Sequence, residues 1–322
     1  MKLKALSHYD GDLDTRFGDC ILLYDSKSLV VYDCGHEKHA EAVEIFLRSN
    51  TLITQVCIVV SHNDSDHTNG VCRLIKWLNN YSKYLVHVYS HQYLKHVDTI
   101  LDKIDDGRRN RESLKEALLA EFDNIKTIIE TAQACGFTTN EALRGTSVGA
   151  CTIVGPTKDE FTTVAAKAVD NRVNNKIGEG KAEETVMNAA SVQLQCKLEN
   201  AANILLCGDA SPDYLHSLNN YDIIQLPHHG QLENAQAIFE KLGGNSYNKE
   251  YLISDNTGSG VTSGGSDDLV QFMNDEDYDT AMNTKNKPVY ISLGNGGTIH
   301  TKKQQGVKLG GMDFRRWGRN CC

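Results

Sequence analysis

Three apolar, β-like runs in this chain end in residues that bind cations or carry protons. Val56-Cys57-Ile58-Val59-Val60 runs straight into Ser61-His62-Asn63-Asp64-Ser65-Asp66-His67; Asn203-Ile204-Leu205-Leu206-Cys207 runs into Gly208-Asp209; and Asp222-Ile223-Ile224-Gln225-Leu226 runs into Pro227-His228-His229-Gly230. An open αβ sheet builds a site in this way, from loops at one edge of its strands. Two imidazoles and two carboxylates crowded into one loop are costly to bring together unless a cation sits among them. A divalent metal would satisfy them all. The ordinary alternative is a polar turn rich in Asp, Asn and Ser that caps a helix beginning at Gly70. A fourth run, Leu29-Val30-Val31-Tyr32, ends in Asp33, either a turn or N-cap residue or a group that orients a ligand histidine.

Strands are expected at Cys20–Tyr24, Leu29–Tyr32, Val56–Val60 and Leu85–Tyr89, with helical spacing at Ala40–Arg48 and Gly70–Leu78 between them. From Tyr93 to Cys135 apolar residues recur at three or four, a helical pair interrupted at Asp105–Arg111. Short strands follow near Cys151–Gly155 and from Ser191 onward, and the polar stretch Asp170–Glu184 reads as a mobile loop, with Asn174–Lys181 a candidate lid. With no internal repeat and no long linker, the expected organisation is one αβ domain over 1–322, a helical insertion at 93–135 and a tail at 306–322.

Composition removes several function classes. No window approaches the roughly 18 uninterrupted apolar residues of a membrane span, and the opening MKLKALSHYDGDLD turns polar before any apolar stretch of about 7 to 15 residues could act as a signal. The sequence therefore reads as cytoplasmic, with no membrane partner. A formal charge of −9 opposes attraction to a long duplex and leaves small phosphorylated molecules or single strands as substrates. The ten cysteines, mostly inside apolar runs and without a C-x-x-C pair, read as reduced core thiols.

His62-x-Asp64-x-Asp66-His67, Gly208-Asp209 and Pro227-His228-His229-Gly230, in that order, resemble the metallo-β-lactamase superfamily of metallohydrolases. Similarity to its ComEC-like branch rests on Asp64 in place of a second histidine and on Phe17-Gly18-Asp19-Cys20 leading to Tyr32-Asp33-Cys34-Gly35. It rests also on Asn188-Ala189-Ala190-Ser191 in place of a mid-chain ligand histidine, and on Ile291–Asn295 with His300. The likeness covers roughly residues 1–92 and 186–305.

The resemblance implies a four-layer αββα sandwich, an α/β fold with a dinuclear site at one edge. It places His62 and Asp64 on one metal, Asp66 and His67 on the other, and Asp209 between them, with one of His228 and His229 completing the second. Which of the two does so is open at this point; His228 is carried forward as the ligand and His229, with Asp66 and His300, as acid–base groups. The metals expected are two divalent ions, Zn²⁺ or Mn²⁺, with Mg²⁺ admitted because the donor set is rich in oxygen. The implied activity is a phosphodiesterase or nuclease working through a metal-bridged hydroxide. Hydrolysis of a carboxylic ester, thioester or lactone is the rival within enzymes; a metal-poor module that engages a protein partner through the Cys321-Cys322 tail is the rival outside them. His87, His91 and His96 read as solvated or partly packed, and Arg108, Arg109 and Arg111 as a solvated turn.

Overall fold

The computed structural model describes residues 1–6, 18–104, 110–173, 186–255, 266–279 and 281–292. Two mixed sheets form its centre. The first contains β1 (Lys2–Ala5), β2 (Ile21–Tyr24), β3 (Ser28–Tyr32), β4 (Gln55–Val59), β5 (Leu85–Ser90) and β6 (Thr138–Glu141). The second contains β7 (Ser147–Val148), β8 (Cys151–Gly155), β9 (Gln193–Lys197), β10 (Asn203–Leu206), β11 (Ile223–Gln225), β12 (Glu250–Ile253) and β13 (Met282–Asn283). The chain then returns to the first sheet as β14 (Val289–Ile291), antiparallel to β1.

Alternation along the strands accounts for the layers. Leu29, Val31, Val56 and Ile58 point to one side of the first sheet and pack on helices, while Val30, Tyr32, Cys57 and Val59 point to the other and meet Leu194, Cys196, Ile204, Leu206 and Leu252 of the second sheet. A strand covered on both faces has no use for polar residues, which is why β3 and β4 read as unbroken apolar runs. Parallel neighbours need crossovers, and β3, β4, β5 and β6 are parallel in that order. The crossovers are α1 (Glu37–Ser49), then α2 (Ser65–Thr68) with α3 (Val71–Asn79), then α4 (Val97–Ile104), α5 (Arg111–Glu121) and α6 (Asp123–Ala134). After β8 comes α7 (Lys158–Val173), and outside the second sheet lie α8 (Leu232–Leu242) and α9 (Asp267–Asp275), packed through Ala235, Ile238, Phe239, Leu269 and Met273. The layers run helix, sheet, sheet, helix, as expected from the resemblance.

Several local expectations change. The helical stretch 93–135 holds three α-helices rather than a pair, because Phe122 turns inward between α5 and α6 and stacks on Tyr93 at 4.7 Å. β1 lies in a segment too charged to signal a strand, yet Leu3 and Ala5 are buried between the sheets. Residues 170–173, read as loop, are the last turn of α7, a helix hidden from periodicity because Phe161, Val164, Ala165, Ala168 and Val169 are buried around much of its circumference. Residues 174–185 with the proposed lid, Phe17, Arg108, Arg109, His300 and the tail 306–322 lie outside the described residues. No helix among the described residues is long and apolar enough to cross a membrane.

Candidate metal centre

The strand-end residues meet. Asp33 follows β3, His62 and His67 follow β4, Asp209 follows β10, and His228 and His229 follow β11, so parallel strands of both sheets deliver their carboxyl ends to one place. The Nε2 atoms of His62, His67 and His229 lie 3.9, 3.5 and 4.0 Å from Oδ2 of Asp209. Asp64 stands 3.7 Å from His62 Nε2, and Asp66 stands 3.2 Å from His229 Nε2.

Each imidazole is tied back through its other nitrogen. His67 Nδ1 donates to Asp33 Oδ2 at 2.9 Å, and the second oxygen of Asp33 accepts the Ser61 backbone N–H at 2.7 Å. His229 Nδ1 lies 3.1 Å from Asp19 Oδ1 and 3.1 Å from the Ser254 carbonyl. Asp19 is itself fixed by Gln225 Nε2 and the Ser254 hydroxyl, which donate to its Oδ2 at 2.8 and 3.0 Å. His62 Nδ1 sits 3.1 Å from Ser191 Oγ, whose one proton goes to the Asn188 carbonyl at 2.8 Å. Ser61 Oγ lies 2.9 Å from the same nitrogen, so two hydroxyls bracket His62 Nδ1 and fix the ring. All three rings thus turn Nε2 toward Asp209, the nitrogen that each could offer a metal once its proton has left.

Electrostatics agree with this arrangement. Burial opposes charge on His67, but Asp209 and Asp33 overcome it and hold the imidazole well above its usual range. His229 is raised in the same way, with Asp209 and Asp19 outweighing burial. Burial pushes Asp66 and Asp209 up, yet the hydrogen bond from His229 and the His67 and His229 charges keep Asp66 low, and the same two imidazoles keep Asp209 low. In the metal-free protein, protons take the place of a cation.

Backbone geometry supports the same cluster. Gly18, at φ +65°, runs so close to the ligand loop that a Cβ would lie 1.6 Å from the Asp66 carbonyl oxygen, and the next N–H, of Asp19, donates to that oxygen at 3.0 Å. Asp33, His228 and His229 are non-glycine residues at φ 59°, 56° and 55°, a conformation that costs about 1–3 kcal/mol each and persists only where surroundings impose it.

His229, carried forward from the sequence as an acid–base group, stands among the donors. His228, carried forward as a ligand, lies nearer the rim with Nδ1 3.4 Å from Asp209 Oδ2. Sequence reasoning overlooked Asp19 as a site residue, although it sits at the end of a loop directly before an apolar run. His87, His91 and His96 are engaged elsewhere: His87 lies beside Tyr89, His91 is buried against Phe161 and donates to the Ala190 carbonyl, with burial bringing its pKa down to about 4, and His96 pairs with Glu141 at 2.7 Å. Arg111 pairs with Asp98 and Asp102 at the surface. The eight described cysteines are free thiols.

The layer order and the strand-end cluster together decide the architecture. This is a four-layer αββα sandwich, the architecture that the sequence resemblance implies. Among solved structures the chain is similar to the metallo-β-lactamase fold protein YhfI from Bacillus subtilis, at 12% identity and a TM-score of 0.47 over 91% of this chain and 100% of that one. It is also similar to a metallo-β-lactamase with a HARLDQ motif from Cronobacter sakazakii, at 14% identity and a TM-score of 0.33 over 75% and 76% of the two chains. A third likeness is to MIM-1 from Novosphingobium pentaromativorans, at 14% identity and a TM-score of 0.30 over 75% and 71%. No protein-family profile and no curated protein matches the chain.

Proposed function

We propose that this protein is a metal-dependent hydrolase of the ComEC-like branch that cleaves a phosphodiester in a nucleotide or a short single strand. One observation carries the metal-dependent part: three imidazoles, each anchored at Nδ1, aim Nε2 at one buried carboxylate. His62 Nε2, His67 Nε2 and Asp209 Oδ1 are buried without a hydrogen-bond partner among the described residues, and such orphans are expensive unless something else fills the gap. The donor set fits a divalent cation. His62, Asp64 and Asp209 would hold one, and Asp66, His67, His229 and Asp209 a second; such ions acidify a bound water and offset the charge that builds on a phosphoryl or acyl centre.

The chain's own residues do the rest. Asp66, kept ionised by its histidine neighbours, is the acceptor for a proton at the centre. Asp33, Asp19 and Ser191 fix the three rings, so little reorganisation is needed on binding. Asp64 adds a third carboxylate where the wider superfamily has a histidine; this supports Mn²⁺ or Mg²⁺ over Zn²⁺ and supports phosphodiesters over neutral esters. The −9 charge supports a small or single-stranded substrate.

The test is hydrolysis of bis(p-nitrophenyl) phosphate by metal-stripped protein titrated with Mn²⁺, Mg²⁺ and Zn²⁺, beside Asp66→Ala and Asp209→Ala. Metal-dependent turnover that both substitutions abolish is the expected result. Turnover of p-nitrophenyl esters with no phosphodiester cleavage would overturn the substrate assignment; refusal of both, with no metal bound, would overturn the hydrolase and favour a partner-binding module.

A further inference from the structure

We infer that the junction between α5 and α6 positions the metal-binding loop through a reciprocal pair of asparagines, Asn63 and Asn124. This rests on the metal-centre reading above.

Asn63 lies between His62 and Asp64, and its own side chain turns away from the cluster. Its Nδ2 donates to the Glu121 carbonyl at 2.6 Å, and Asn124 Nδ2 donates back to the Asn63 carbonyl at 2.7 Å. Both bonds have a reason on the helical side. Glu121 is the last residue of α5, where helix carbonyls have no partner within the helix, and Asn63 supplies one. Asn124 is in the first turn of α6, where its side chain is free to leave the helix and bind elsewhere.

The junction is firmly held. Phe122, between the two helices, is buried, stacks on Tyr93 and meets Phe161 of α7 edge-on at 6.0 Å. Phe161 in turn stacks on His91 at 4.3 Å, and His91 donates to the Ala190 carbonyl, one residue before the Ser191 that orients His62. The helical layer therefore reaches His62 from two directions: through the peptide that follows it, and through the serine at its Nδ1. By contrast, Asp66 and His229 are held by Gly18, Asp19, Gln225 and Ser254, which belong to the strand ends and sheet loops. Disturbing the junction should weaken the cation on His62 and Asp64 while sparing the one on Asp66 and His229.

Asn124→Asp separates positioning from structure. It is nearly isosteric, it removes the Nδ2 donor, and it places an acid in a helix first turn, where an acid favours the helix. The full-length protein, stripped of metal, is titrated with Co²⁺ followed by ligand-field absorption and with Mn²⁺ followed by electron paramagnetic resonance, and its unfolding is recorded without metal. The expected result is about a tenfold loss of affinity for one of two ions, the other unchanged, with metal-free Tm equal to wild type. Asn63→Ser, which also lacks the amide, should show the same selective loss. Wild-type binding of two ions matched by both variants would overturn the positioning role alone. A wild-type protein that binds no ion would overturn the metal centre itself, and a variant that loses Tm and both ions equally would reduce the asparagine pair to packing.

Discussion

Asp33→Asn tests how the centre is tuned, because the substitution changes one atom in a fully buried side chain. Asn tolerates the left-handed backbone at φ 59° about as well as Asp, so the turn is preserved. Its Oδ1 still accepts the Ser61 N–H, which leaves Nδ2 facing His67 Nδ1, where Oδ2 now accepts at 2.9 Å. Two N–H groups cannot face each other, so a neutral His67 would carry its hydrogen on Nε2 and could not offer that nitrogen to a metal. The lost bond is charge-assisted and contributes about 1.5–3 kcal/mol, which at about 1.4 kcal/mol per tenfold predicts metal affinity roughly 10- to 100-fold weaker. Chelator competition with Zn²⁺ and Mn²⁺ measures the affinity, and ¹⁵N shifts of labelled histidine report the tautomer. Affinity within about threefold of wild type, a difference near 0.6 kcal/mol, with Nδ1 still carrying the hydrogen, would refute the reasoning.

Two further outcomes follow from the same geometry. Because His67 and His229 are raised, their contribution to metal-free stability is complete below about pH 6.5 and is lost as pH rises through their folded values. Asp66 and Asp209 are depressed, so theirs is present above about pH 3.9 and is lost as pH falls through their folded values. Metal binding must therefore release protons and tighten as pH rises through neutrality, which calorimetry in buffers of different ionisation enthalpy will show as a buffer-dependent heat; identical heats in all buffers would contradict it. Gly18→Ala should lower Tm and metal affinity together, since left-handed alanine costs about 1–2 kcal/mol and a Cβ 1.6 Å from the Asp66 carbonyl oxygen must push the ligand loop away. An unchanged Tm and affinity would mean the loop does not depend on that approach.

The sequence displayed the strand ends and concealed their supports. His62, Asp64, Asp66, His67, Asp209 and the His228-His229 pair stood out because each breaks an apolar run, and the structure gathers all of them. Asp33 was visible for the same reason. Asp19 was not, since its partner His229 is more than half the chain away and nothing local marks a carboxyl as an imidazole anchor. The arrangement of His228 and His229 was also hidden: both reach Asp209 Oδ2, at 3.4 and 4.0 Å, through two successive left-handed residues that no periodicity encodes. The central strands were readable because burial on both faces writes itself as continuous Val, Ile and Leu. β1 and α7 were not, one too short and charged, the other buried on all but the narrow stripe Asp159, Thr163 and Lys167 and so weak in amphipathic contrast.

The cluster lies on the seam between the two sheets: Asp19, Asp33, His62 and His67 come from the first sheet's connections, Asp209, Gln225, His229 and Ser254 from strand ends and connections of the second. During synthesis the first sheet's share emerges long before Asp209 and His229 exist as chain. A cation that met the nascent loop would find only part of its donors and would exchange freely, so firm capture waits for the halves to dock. On the proposed metal centre, retention of a cation would report that both halves of the cluster have docked, and loading would be a late step of folding.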